Sequence, residues 1–496
     1  MRSLGLAFLV LAFGASPASA AVIQFEDRSS PEDNEPNIAI VLRAAPGETN
    51  HITVRRSAGG LVIEDTGAPL TGECEPNGGG RFCRGTNFGA VDVFLGDGND
   101  SLQHDWGGAV EAGDGDDDVR VTGFVFSLTG GAGADRLDAT GAMDASVSYL
   151  DHSEGVAVRV NALADDGAPG EGDNVIGAIT SIGGSAGNDY LESGPATGSL
   201  FGADGSDILI GNAEGNYLVG GAGDDQLLAG DGSDSLVGDA GSDVLSGGGG
   251  LDEVTYGGTA PLRLSIGDGP NDGLAGEGDD IREDVESLVG GLGDDVLIGD
   301  AHGNRLAGYG GHDVLRGGDG ADEVIGWGDG DELDGGAGPD LVSTRPRRLG
   351  GLDHALLVDG ETDRLDCNGA APFVDADAGD RLILCAPTPV VHARGRLRQG
   401  RRVTLFVRCA PDSAVPCLGR LWIHLQGTRR DPQSGRRLSR VIRFGPIKAG
   451  ARRRLRVLIR GLVPRSGYVY ASAISRRNDG LHTRTVTRNV IRYLPG

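Results

Sequence analysis

The sequence predicts an all-β protein built mainly as a solenoid of short parallel strands, and three observations lead to this prediction. Residues 202–255 divide into six consecutive nonapeptides with the template G-G-x-G-x-D-x-U-x, in which U is a large aliphatic residue. The 496 residues include 88 glycines, whereas aromatic residues make up only 5%. A fixed nine-residue period is typical of stacked repeats, and the scarcity of aromatic residues argues against large globular cores.

Each nonapeptide predicts a turn followed by a very short strand. The glycines among the first six residues tolerate positive φ angles and let backbone carbonyl groups approach a ligand. The last three residues, x-U-x, form a strand whose aliphatic side chain points inward. Because a strand this short cannot bury its own aliphatic residue, neighbouring repeats must stack to share a core.

These nonapeptides resemble those of the RTX family of calcium-binding β-roll proteins. The resemblance implies a right-handed parallel β-roll, or β-helix, with two repeats per coil, so that turns on one side lie eighteen residues apart. It also implies that Ca²⁺ lies between neighbouring turns, held by the sixth-position Asp carboxylates and by backbone carbonyl groups. Such an oxygen-only set of ligands suits a hard cation.

Repeats of this kind form three arrays, which begin at residues 95, 184 and 290. The predicted calcium ligands are the sixth-position residues Asp100, Asp117, Asp135, Asp189, Asp207, Asp225, Asp234, Asp243, Asp252, Asp295, Asp313, Asp322, Asp331 and Asp340. In the first array they are spaced so that only one side of the coils carries calcium turns. In the second array we expect the more complete column on the side from Asp189 to Asp243. The opposite side has one turn without Asp and then Asn216, and it becomes acidic only at Asp234. Asn216 and Asn304 offer a neutral oxygen and should bind calcium more weakly.

Two insertions, residues 149–183 and 256–289, interrupt the arrays and are copies of each other. Each begins with a Tyr, continues with an alternating strand and then contains D-G-x-x-G-E-G-D, at residues 166–173 and 272–279. An acidic turn of this kind is either a further calcium site or a solvated loop, and the sequence leaves both interpretations open.

The residues before the arrays are predicted to differ from them. Residues 1–20 resemble a secretory signal peptide, with a basic start, an apolar core too short to span a membrane and an A-x-A cleavage site at residues 18–20. Residues 21–94 contain short alternating runs separated by turn residues, which predicts an N-terminal β cap over the open edge of the solenoid. The solenoid itself is predicted to cover residues 95–387, with degenerate coils at its end.

Residues 388–496 differ from the rest of the chain in charge. They contain 25 Lys and Arg but only 3 Asp and Glu, whereas the remainder contains 19 and 69. Alternating runs separated by turns predict a basic β-sandwich domain of the immunoglobulin type. We expect its positive charges to be solvated or to pair with the acidic solenoid. An anionic polymer of the cell envelope is the second expected partner, and nucleic acid is the least expected.

The cysteines form three near pairs, Cys74 and Cys83, Cys367 and Cys385, and Cys409 and Cys417. Their proximity in the sequence favours three local disulfides, which would suit an exported protein. A metal site is the alternative, but the C-x-x-C spacing and the neighbouring histidines that such a site needs are missing.

The sequence predicts no catalytic site. The one match to a nucleophile elbow, residues 183–187, overlaps a glycine turn and is not followed by a helical pattern. H-E-x-x-H and P-loop motifs are missing, and strings similar to G-x-G-x-x-G are repeat turns. Paired carboxylates could serve a glycosidase, but their regular spacing favours metal binding. We therefore expect that the protein is not an enzyme.

The sequence thus predicts a secreted, extracellular calcium-binding repeat protein with a structural or surface-associated role. The negative charge of the first 387 residues opposes folding without a cation, and the many glycines make ordering entropically costly. The alternative is an extracellular protein that binds or modifies a polysaccharide along the solenoid. That function would need aromatic or basic groups on a strand face, and the repeats contain few of them.

Overall fold

The computed structural model describes residues 20–29, 37–85, 88–328, 330–344, 353–357, 359 and 361–366, and beyond these the backbone of nine strands between residues 373 and 492. All regular secondary structure in these residues is β. The described part accordingly contains no helix that could cross a membrane. The chain divides into two compact units, residues 1–230 and 231–496. The predicted signal peptide falls outside the described residues, apart from Ala20.

The strands that begin in the first unit are β1 Ala21–Asp27, β2 Ile38–Arg43, β3 His51–Ser57, β4 Gly60–Asp65, β5 Leu70–Gly72, β6 Glu75–Asn77, β7 Gly80–Arg84, β8 Phe88–Asp97, β9 Ser101–His104, β10 Gly108–Asp114, β11 Asp118–Val121, β12 Phe124–Thr129, β13 Arg136–Ala139, β14 Asp144–Ser148, β15 Ala157–Arg159, β16 Asn174–Gly177, β17 Ile179–Gly183, β18 Tyr190–Glu192, β19 Ser199–Asp204, β20 Ile208–Ile210, β21 Tyr217–Ala222 and β22 Gln226–Gly232.

The strands of the second unit are β23 Ser235–Ala240, β24 Val244–Gly250, β25 Glu253–Thr255, β26 Leu262–Ser265, β27 Gly273–Leu274, β28 Asp280–Ile281, β29 Ser287–Val289, β30 Val296–Ile298, β31 Arg305–Ala307, β32 Val314–Asp319, β33 Glu323–Ile325, β34 Glu332–Ala337, β35 Leu341–Ser343, β36 His354–Leu357, β37 Arg364–Asp366, β38 Phe373–Ala376, β39 Arg381–Ile383, β40 Val390–Arg394, β41 Arg402–Arg408, β42 Cys417–Leu425, β43 Ile442–Ile447, β44 Arg452–Leu458, β45 Tyr468–Ser475 and β46 Thr485–Arg492.

The first unit begins with antiparallel strands. β1 pairs with β2, β3 pairs with β4, and β4 pairs with β7 in this way. The predicted disulfide between Cys74 and Cys83 is present and joins the segment before β6 to β7. Apolar side chains of these strands, such as Ile40 and Ile63, are fully buried. The short strands predicted for residues 21–94 are therefore formed.

From β8 onward the pairing between consecutive coils is parallel. One series of neighbours consists of β8, β10, β12, β14, β17, β19 and β21. A second series consists of β3, β9, β11, β13 and β16, and a third of β15, β18, β20 and β22. The chain alternates between the first series and one of the other two, an arrangement that is consistent with a β-roll.

The aliphatic residue of each short strand forms the core. In the third series, Leu191, Leu209 and Leu227 lie opposite one another and are all fully buried. Each such side chain contributes roughly 1.5–3 kcal/mol when buried. One side chain of this kind per strand cannot offset the cost of ordering a glycine-rich turn, so each coil depends on its neighbours.

The second unit contains two long parallel series. The first is β23, β25, β29, β31, β33, β35, β37 and β39, and the second is β26, β30, β32, β34, β36 and β38. Strands β40–β46 instead form two antiparallel sheets, and the β-sandwich predicted for residues 388–496 stays a prediction. The other two predicted disulfides, Cys367–Cys385 and Cys409–Cys417, lie outside the residues whose side chains are described.

Both insertions redirect the stack in the same manner. In the first, β15 begins the third series while β16 pairs with β13 and ends the second. In the second, β26 begins a new series while β28 pairs with β24. Antiparallel bridges between Asp166 and Asp173, and between Asp272 and Asp279, close the acidic turns. The similarity predicted from the sequence is thus also a similarity of structure.

Candidate metal centre

Sixth-position Asp residues of successive coils are joined by one repeated hydrogen bond. The backbone N–H of Asp189 donates to Oδ1 of Asp207 at 2.8 Å, and the N–H of Asp207 donates to Oδ1 of Asp225 at 2.8 Å. The same bond, at 2.7–3.1 Å, joins Asp100 to Asp117, Asp117 to Asp135, Asp234 to Asp252, Asp295 to Asp313, Asp313 to Asp331, and Asp322 to Asp340. Each carboxylate therefore points inward and satisfies a backbone donor of the preceding turn.

All of the Asp residues predicted as ligands are buried, with exposed fractions of 0–3%. The first unit brings together two columns, one of Asp100, Asp117 and Asp135 and one of Asp189, Asp207 and Asp225. The columns of the second unit contain Asp234 and Asp252, then Asp295, Asp313 and Asp331, then Asp322 and Asp340, while Asp243 has a different neighbour, described below.

The first glycine of the template makes room for the carboxylate. A Cβ atom on Gly202 would overlap Oδ2 of Asp207 and the carbonyl oxygen of Gly220. The same overlap with the sixth-position Oδ2 occurs at Gly130, Gly184, Gly238, Gly308, Gly317, Gly326 and Gly335. None of these glycines has a positive φ angle. This position therefore requires glycine for space and not for backbone conformation.

Glycines further along the turn let the backbones of neighbouring coils approach closely. Gly223 has a φ angle of 133°, and a Cβ atom there would overlap the carbonyl oxygen of Gly205. Gly221 stands in the same relation to the carbonyl oxygen of Ala203. Carbonyl oxygens of one turn therefore face the glycines of the next, and they belong to the same turns as the buried carboxylates.

One carboxylate oxygen of many of these Asp residues accepts no hydrogen bond. Oδ2 of Asp207 is buried without a hydrogen-bond partner, and this is also true of Oδ2 in Asp100, Asp117, Asp135, Asp252, Asp313, Asp322 and Asp340. A buried, unpartnered carboxylate oxygen is costly unless a donor or a cation lies against it. With the backbone carbonyl oxygens of the same turns, these atoms provide the oxygen-only ligands that Ca²⁺ takes. The residues therefore fit a calcium ion.

Burial changes the acidity of the columns. It raises the pKa of Asp207 to about 7 and that of Asp313 to about 8, and repulsion from the neighbouring carboxylates adds to the effect. The backbone N–H donors of Asp189 and Asp295 oppose this rise without cancelling it. A cation beside these oxygens would stabilise the charged form and lower the pKa again.

The side chains alone do not make a complete coordination shell. Within the described residues, no three His, Cys, Asp or Glu side chains converge to hold a metal ion. Ca²⁺ takes six to eight oxygen ligands, and backbone carbonyl groups and water commonly supply most of them. An ion in these turns would thus depend on the close approach of backbone that the glycines permit.

The insertions add two residues to the Asp columns, Asp173 and Asp279. The N–H of Asp135 donates to Oδ1 of Asp173 at 2.9 Å, and the N–H of Asp243 donates to Oδ1 of Asp279 at 2.9 Å. The separation of 38 residues in the first pair departs from the nine-residue period, whereas the 36 residues of the second pair are twice the coil spacing of 18. One signal was present in the sequence: the last Asp of each D-G-x-x-G-E-G-D motif precedes a short strand, as a sixth-position Asp does.

A buried Tyr donates a hydrogen bond to each of these two carboxylates. The Tyr149 hydroxyl donates to Oδ2 of Asp173 at 3.0 Å, and the Tyr256 hydroxyl donates to Oδ2 of Asp279 at 2.5 Å. Burial and the nearby carboxylates raise the pKa of both tyrosines above the usual range, so the hydroxyls stay protonated. In these two positions a hydroxyl binds the carboxylate oxygen that Asp207 and Asp313 keep without a partner.

The remaining acidic residues of these turns bind their own backbone. Both carboxylate oxygens of Asp166 accept backbone N–H groups, at 2.5 and 2.8 Å, and Glu171 accepts another at 2.7 Å. Asp272 and Glu277 make equivalent bonds in the second copy. Asp166 and Asp272 are only 2% exposed, so neither carboxylate belongs to a solvated loop, and backbone N–H groups already occupy the oxygens that a calcium ion would need.

Three further residues of the columns in the second unit could not be predicted from the sequence, because their spacing is irregular. Glu286 accepts the N–H of Asp252 at 2.8 Å, although the two residues are 34 positions apart. Asp353 accepts the N–H of Asp331 at 3.3 Å, and Asp363 accepts the N–H of Asp340 at 2.9 Å, across 22 and 23 positions. Insertions or the decay of the repeat separate the members of each pair.

The serine of the nucleophile-elbow match belongs to a repeat turn. Ser185 lies between β17 and β18 and is fully buried. Its hydroxyl donates to Oδ1 of Asp189 at 2.7 Å and accepts the N–H of Gly187 at 3.0 Å. The match thus coincides with a position that stabilises the turn, and no helix follows it in the structure.

Comparison with known proteins agrees with this geometry. The family model of the RTX calcium-binding nonapeptide repeat matches four copies, at residues 201–236, 228–259, 283–315 and 307–342. The chain therefore carries RTX-type repeats over residues 201–342, as the sequence predicts, and Ca²⁺ is the ion that such repeats bind. No curated protein matches the chain.

Proposed function

We propose that this chain is a secreted calcium-binding protein whose coils are joined by Ca²⁺ and which folds when it binds the ion. The observation that carries the proposal is the repeated pairing of buried Asp residues, each with one oxygen bonded to backbone. The second oxygen has no partner in several of them, Asp207 among these. The matched RTX repeats support calcium as the ion.

Electrostatics supports the coupling between binding and folding. The columns place carboxylates of successive coils close together in buried positions, and burial raises the pKa of Asp135 to about 8 and that of Asp340 to about 7. At neutral pH and above, ionising such a column without a cation is unfavourable. Ca²⁺ supplies the missing positive charge, so the ordered coils and the bound ions stabilise one another.

Export would place the chain where this coupling is useful. The signal-peptide features of residues 1–20 support secretion, as does the fact that RTX repeat proteins are typically secreted. Extracellular calcium modules bind with dissociation constants of roughly 10⁻⁴–10⁻³ M, so folding would begin after export. The basic segment 388–496 is suited to hold the folded protein at an anionic cell surface. In that setting the repeats have a structural role and need no catalytic site.

Calcium removal tests the proposal. Circular dichroism and calcium titration calorimetry of the full chain should show a β signal that is lost in EGTA and restored by CaCl₂. MgCl₂ at the same concentration should restore much less, because Mg²⁺ demands shorter bonds and a stricter octahedral shell. A β signal unchanged by EGTA would contradict coupled folding, and the absence of binding heat would contradict calcium binding.

A second candidate function is supported by a different observation. Aromatic side chains lie exposed on the first parallel series of the first unit: Phe124, Phe126, Phe201 and Tyr217, with exposed fractions of 38–51%. The rings of Phe201 and Tyr217 meet edge to face on neighbouring strands, 5.9 Å apart. Exposed aromatic rings on strands of the same series are a surface on which the sugar rings of a neutral polysaccharide could stack. Retention on insoluble glucans that is lost in a Phe201→Ala, Tyr217→Ala variant would support this function, and equal retention of both proteins would contradict it.

A further inference from the structure

One junction between coils of the first unit is closed by side-chain amides. Nδ2 of Asn212 donates to the carbonyl oxygen of Gly194 at 2.8 Å and to that of Thr197 at 2.9 Å, both in the preceding turn. Nδ2 of Asn216 also donates to the carbonyl oxygen of Thr197, at 3.1 Å. Two amide groups thus bridge the turn at residues 193–198 and the turn at residues 211–216.

Both turns are held in the shape that this bridge needs. The Thr197 hydroxyl donates to the carbonyl oxygen of Ile179 at 2.8 Å and accepts the N–H of Gly194 at 3.1 Å. On the other side, Oδ1 of Asn212 accepts the N–H of Glu214 at 2.8 Å. The Asn212 side chain therefore uses its donors between turns and its acceptor within its own turn, so its orientation is determined by its contacts.

The Asp junctions are built differently at the same turn position. Asn212 is the second residue of its repeat, where the template has glycine, as at Gly221 in the next repeat. A Cβ atom on Gly221 would overlap the carbonyl oxygen of Ala203 in the preceding turn, so no side chain fits there. Next to the amide bridge, the sixth-position residues are Gly198 and Asn216, which are uncharged. This junction therefore has donors directed at its carbonyl oxygens and no sixth-position carboxylate.

We infer that the junction between turns 193–198 and 211–216 takes no Ca²⁺, because the Asn212 amide makes the bonds to carbonyl oxygens that the ion is proposed to make elsewhere. This inference rests on the proposed function, because it contrasts the amide junction with the Asp junctions that are proposed to bind Ca²⁺. Asn212 is then the residue that keeps the ion out of this junction. The consequence is that the first part of the pairing of β19 with β21, from Ser199 and Tyr217 to Phe201 and Val219, does not depend on calcium. This pairing gives the calcium-free chain an ordered starting point.

Replacement of Asn212 by Asp tests this role without a change of size. The carboxylate would lack the two N–H donors and would face the carbonyl oxygens of Gly194 and Thr197, which repel it. A cation between them would remove the repulsion. Asn212→Asp should therefore convert a junction that is independent of calcium into one that requires it, whereas Asn212→Ala should weaken the junction with or without the ion.

Hydrogen–deuterium exchange of the full chain can follow both kinds of junction at once, in CaCl₂ and in EGTA. Peptides from residues 193–201 and 211–219 report on the amide junction, because they leave out the Asp207 turn, and peptides from residues 112–136 report on the Asp117–Asp135 junction. In the unmodified protein we expect EGTA to speed exchange at residues 112–136 by about tenfold or more and to leave residues 193–201 and 211–219 nearly unchanged. In Asn212→Asp, residues 193–201 and 211–219 should become as sensitive to EGTA as residues 112–136.

Asn188→Asp is the matched control, since Asn188 is exposed and its side chain accepts the N–H of Ser206 at 3.0 Å, a bond that a carboxylate can also make. It should leave exchange at residues 193–201 and 211–219 unchanged. Loss of protection at these residues of the unmodified protein in EGTA would overturn the inference. So would an Asn212→Asp variant that exchanges like the unmodified protein. If residues 112–136 ignore calcium, the proposed function fails, but the exchange of residues 193–201 and 211–219 in Asn212→Ala still shows whether the amide closes this junction.

Discussion

The carboxylate of Asp207 joins its coil to Asp189 with one oxygen and keeps the other buried. The N–H of Asp189 donates to Oδ1 at 2.8 Å, whereas Oδ2 lies over Gly202 without a hydrogen-bond partner. The first oxygen aligns neighbouring coils, and the second is the one that a cation could use. Substitutions that keep the shape of the side chain can therefore separate the alignment of coils from ion binding.

Asp207→Asn should weaken calcium binding while the calcium-loaded fold persists. Asn retains an oxygen that can accept the N–H of Asp189, but it removes the negative charge from the buried position. We expect calcium titration calorimetry to show about tenfold weaker binding at the sites that adjoin this turn, since ligand charge sets calcium affinity. Circular dichroism in saturating CaCl₂ should show the β signal of the unmodified protein.

Asp204→Asn is the control, because Asp204 belongs to the same turn and is exposed. It changes the net charge by the same amount without touching the column. Calorimetric curves that shift equally for both variants would mean that overall charge, and not the buried carboxylate, governs binding.

The calcium-free protein should become less stable as pH rises. Burial raises the pKa of Asp135 and Asp313 to about 8 and that of Asp207 to about 7, from the ordinary 3.8. A group with a raised pKa binds its proton more tightly in the folded chain. Its contribution to the free energy of unfolding is complete below about pH 4 and is lost as pH rises through 7 to 8. In EGTA, the β signal recorded by circular dichroism should therefore be weaker at pH 8 than at pH 5.

Calcium should reverse this dependence, because the ion and the protons compete for the same carboxylates. Affinity measured by calorimetry should increase from pH 5 to pH 8, and the urea midpoint in CaCl₂ should rise or stay level. An equal β signal at pH 5 and pH 8 in EGTA would mean that the buried Asp residues ionise without penalty.

Much of the stack could be predicted because the repeat encodes it locally. The nine-residue period places Leu191, Leu209 and Leu227 in one buried column and brings Asp189 beside Asp207. Each of these positions is determined by the chain immediately around it, so spacing alone is informative. Handedness followed from the resemblance to a family and not from the residues.

The residues that were missed depend on contacts between distant segments. Asp173 continues the column of Asp135 across 38 positions, where the period offers no guide. Tyr149 begins its insertion in the sequence, but its bond to Asp173 follows from the path of the chain around the acidic turn. Asn212 likewise differs from other turn residues only because its amide donates to the carbonyl oxygens of Gly194 and Thr197 in the preceding turn. Spacing identifies the repeating positions, and the exceptions become visible only in three dimensions.

Gly202→Ala should destabilise the repeat even though alanine is easily accommodated by the backbone angle there. The added Cβ atom would overlap Oδ2 of Asp207 and the carbonyl oxygen of Gly220, so the carboxylate or the neighbouring coil must shift. We expect a loss of about 1–3 kcal/mol in the free energy of unfolding, measured by urea denaturation in CaCl₂. Gly79→Ala is the control, because a Cβ atom there would meet nothing within 4 Å. If both variants lose the same stability, the space at Gly202 is not required.

Tyr149→Phe should destabilise the first insertion, and more strongly at high pH. The Tyr149 hydroxyl donates to the buried Oδ2 of Asp173 at 3.0 Å, and this bond lowers the pKa of Asp173, which burial raises to about 6. Without the hydroxyl, an ionised Asp173 loses a donor, at a cost of about 1–3 kcal/mol. The protonated form of Asp173 loses less.

The stability lost in Tyr149→Phe should therefore be small at pH 5 and larger at pH 8, because the folded-state pKa of Asp173 rises further and its protonated form becomes the favoured one. Urea unfolding at both pH values in CaCl₂ gives the comparison. Tyr217→Phe is the control, since Tyr217 is 42% exposed and its loss of a hydroxyl should cost little at either pH. A loss in Tyr149→Phe that does not change with pH would indicate that the hydroxyl fills space beside Asp173 and does not stabilise its charge.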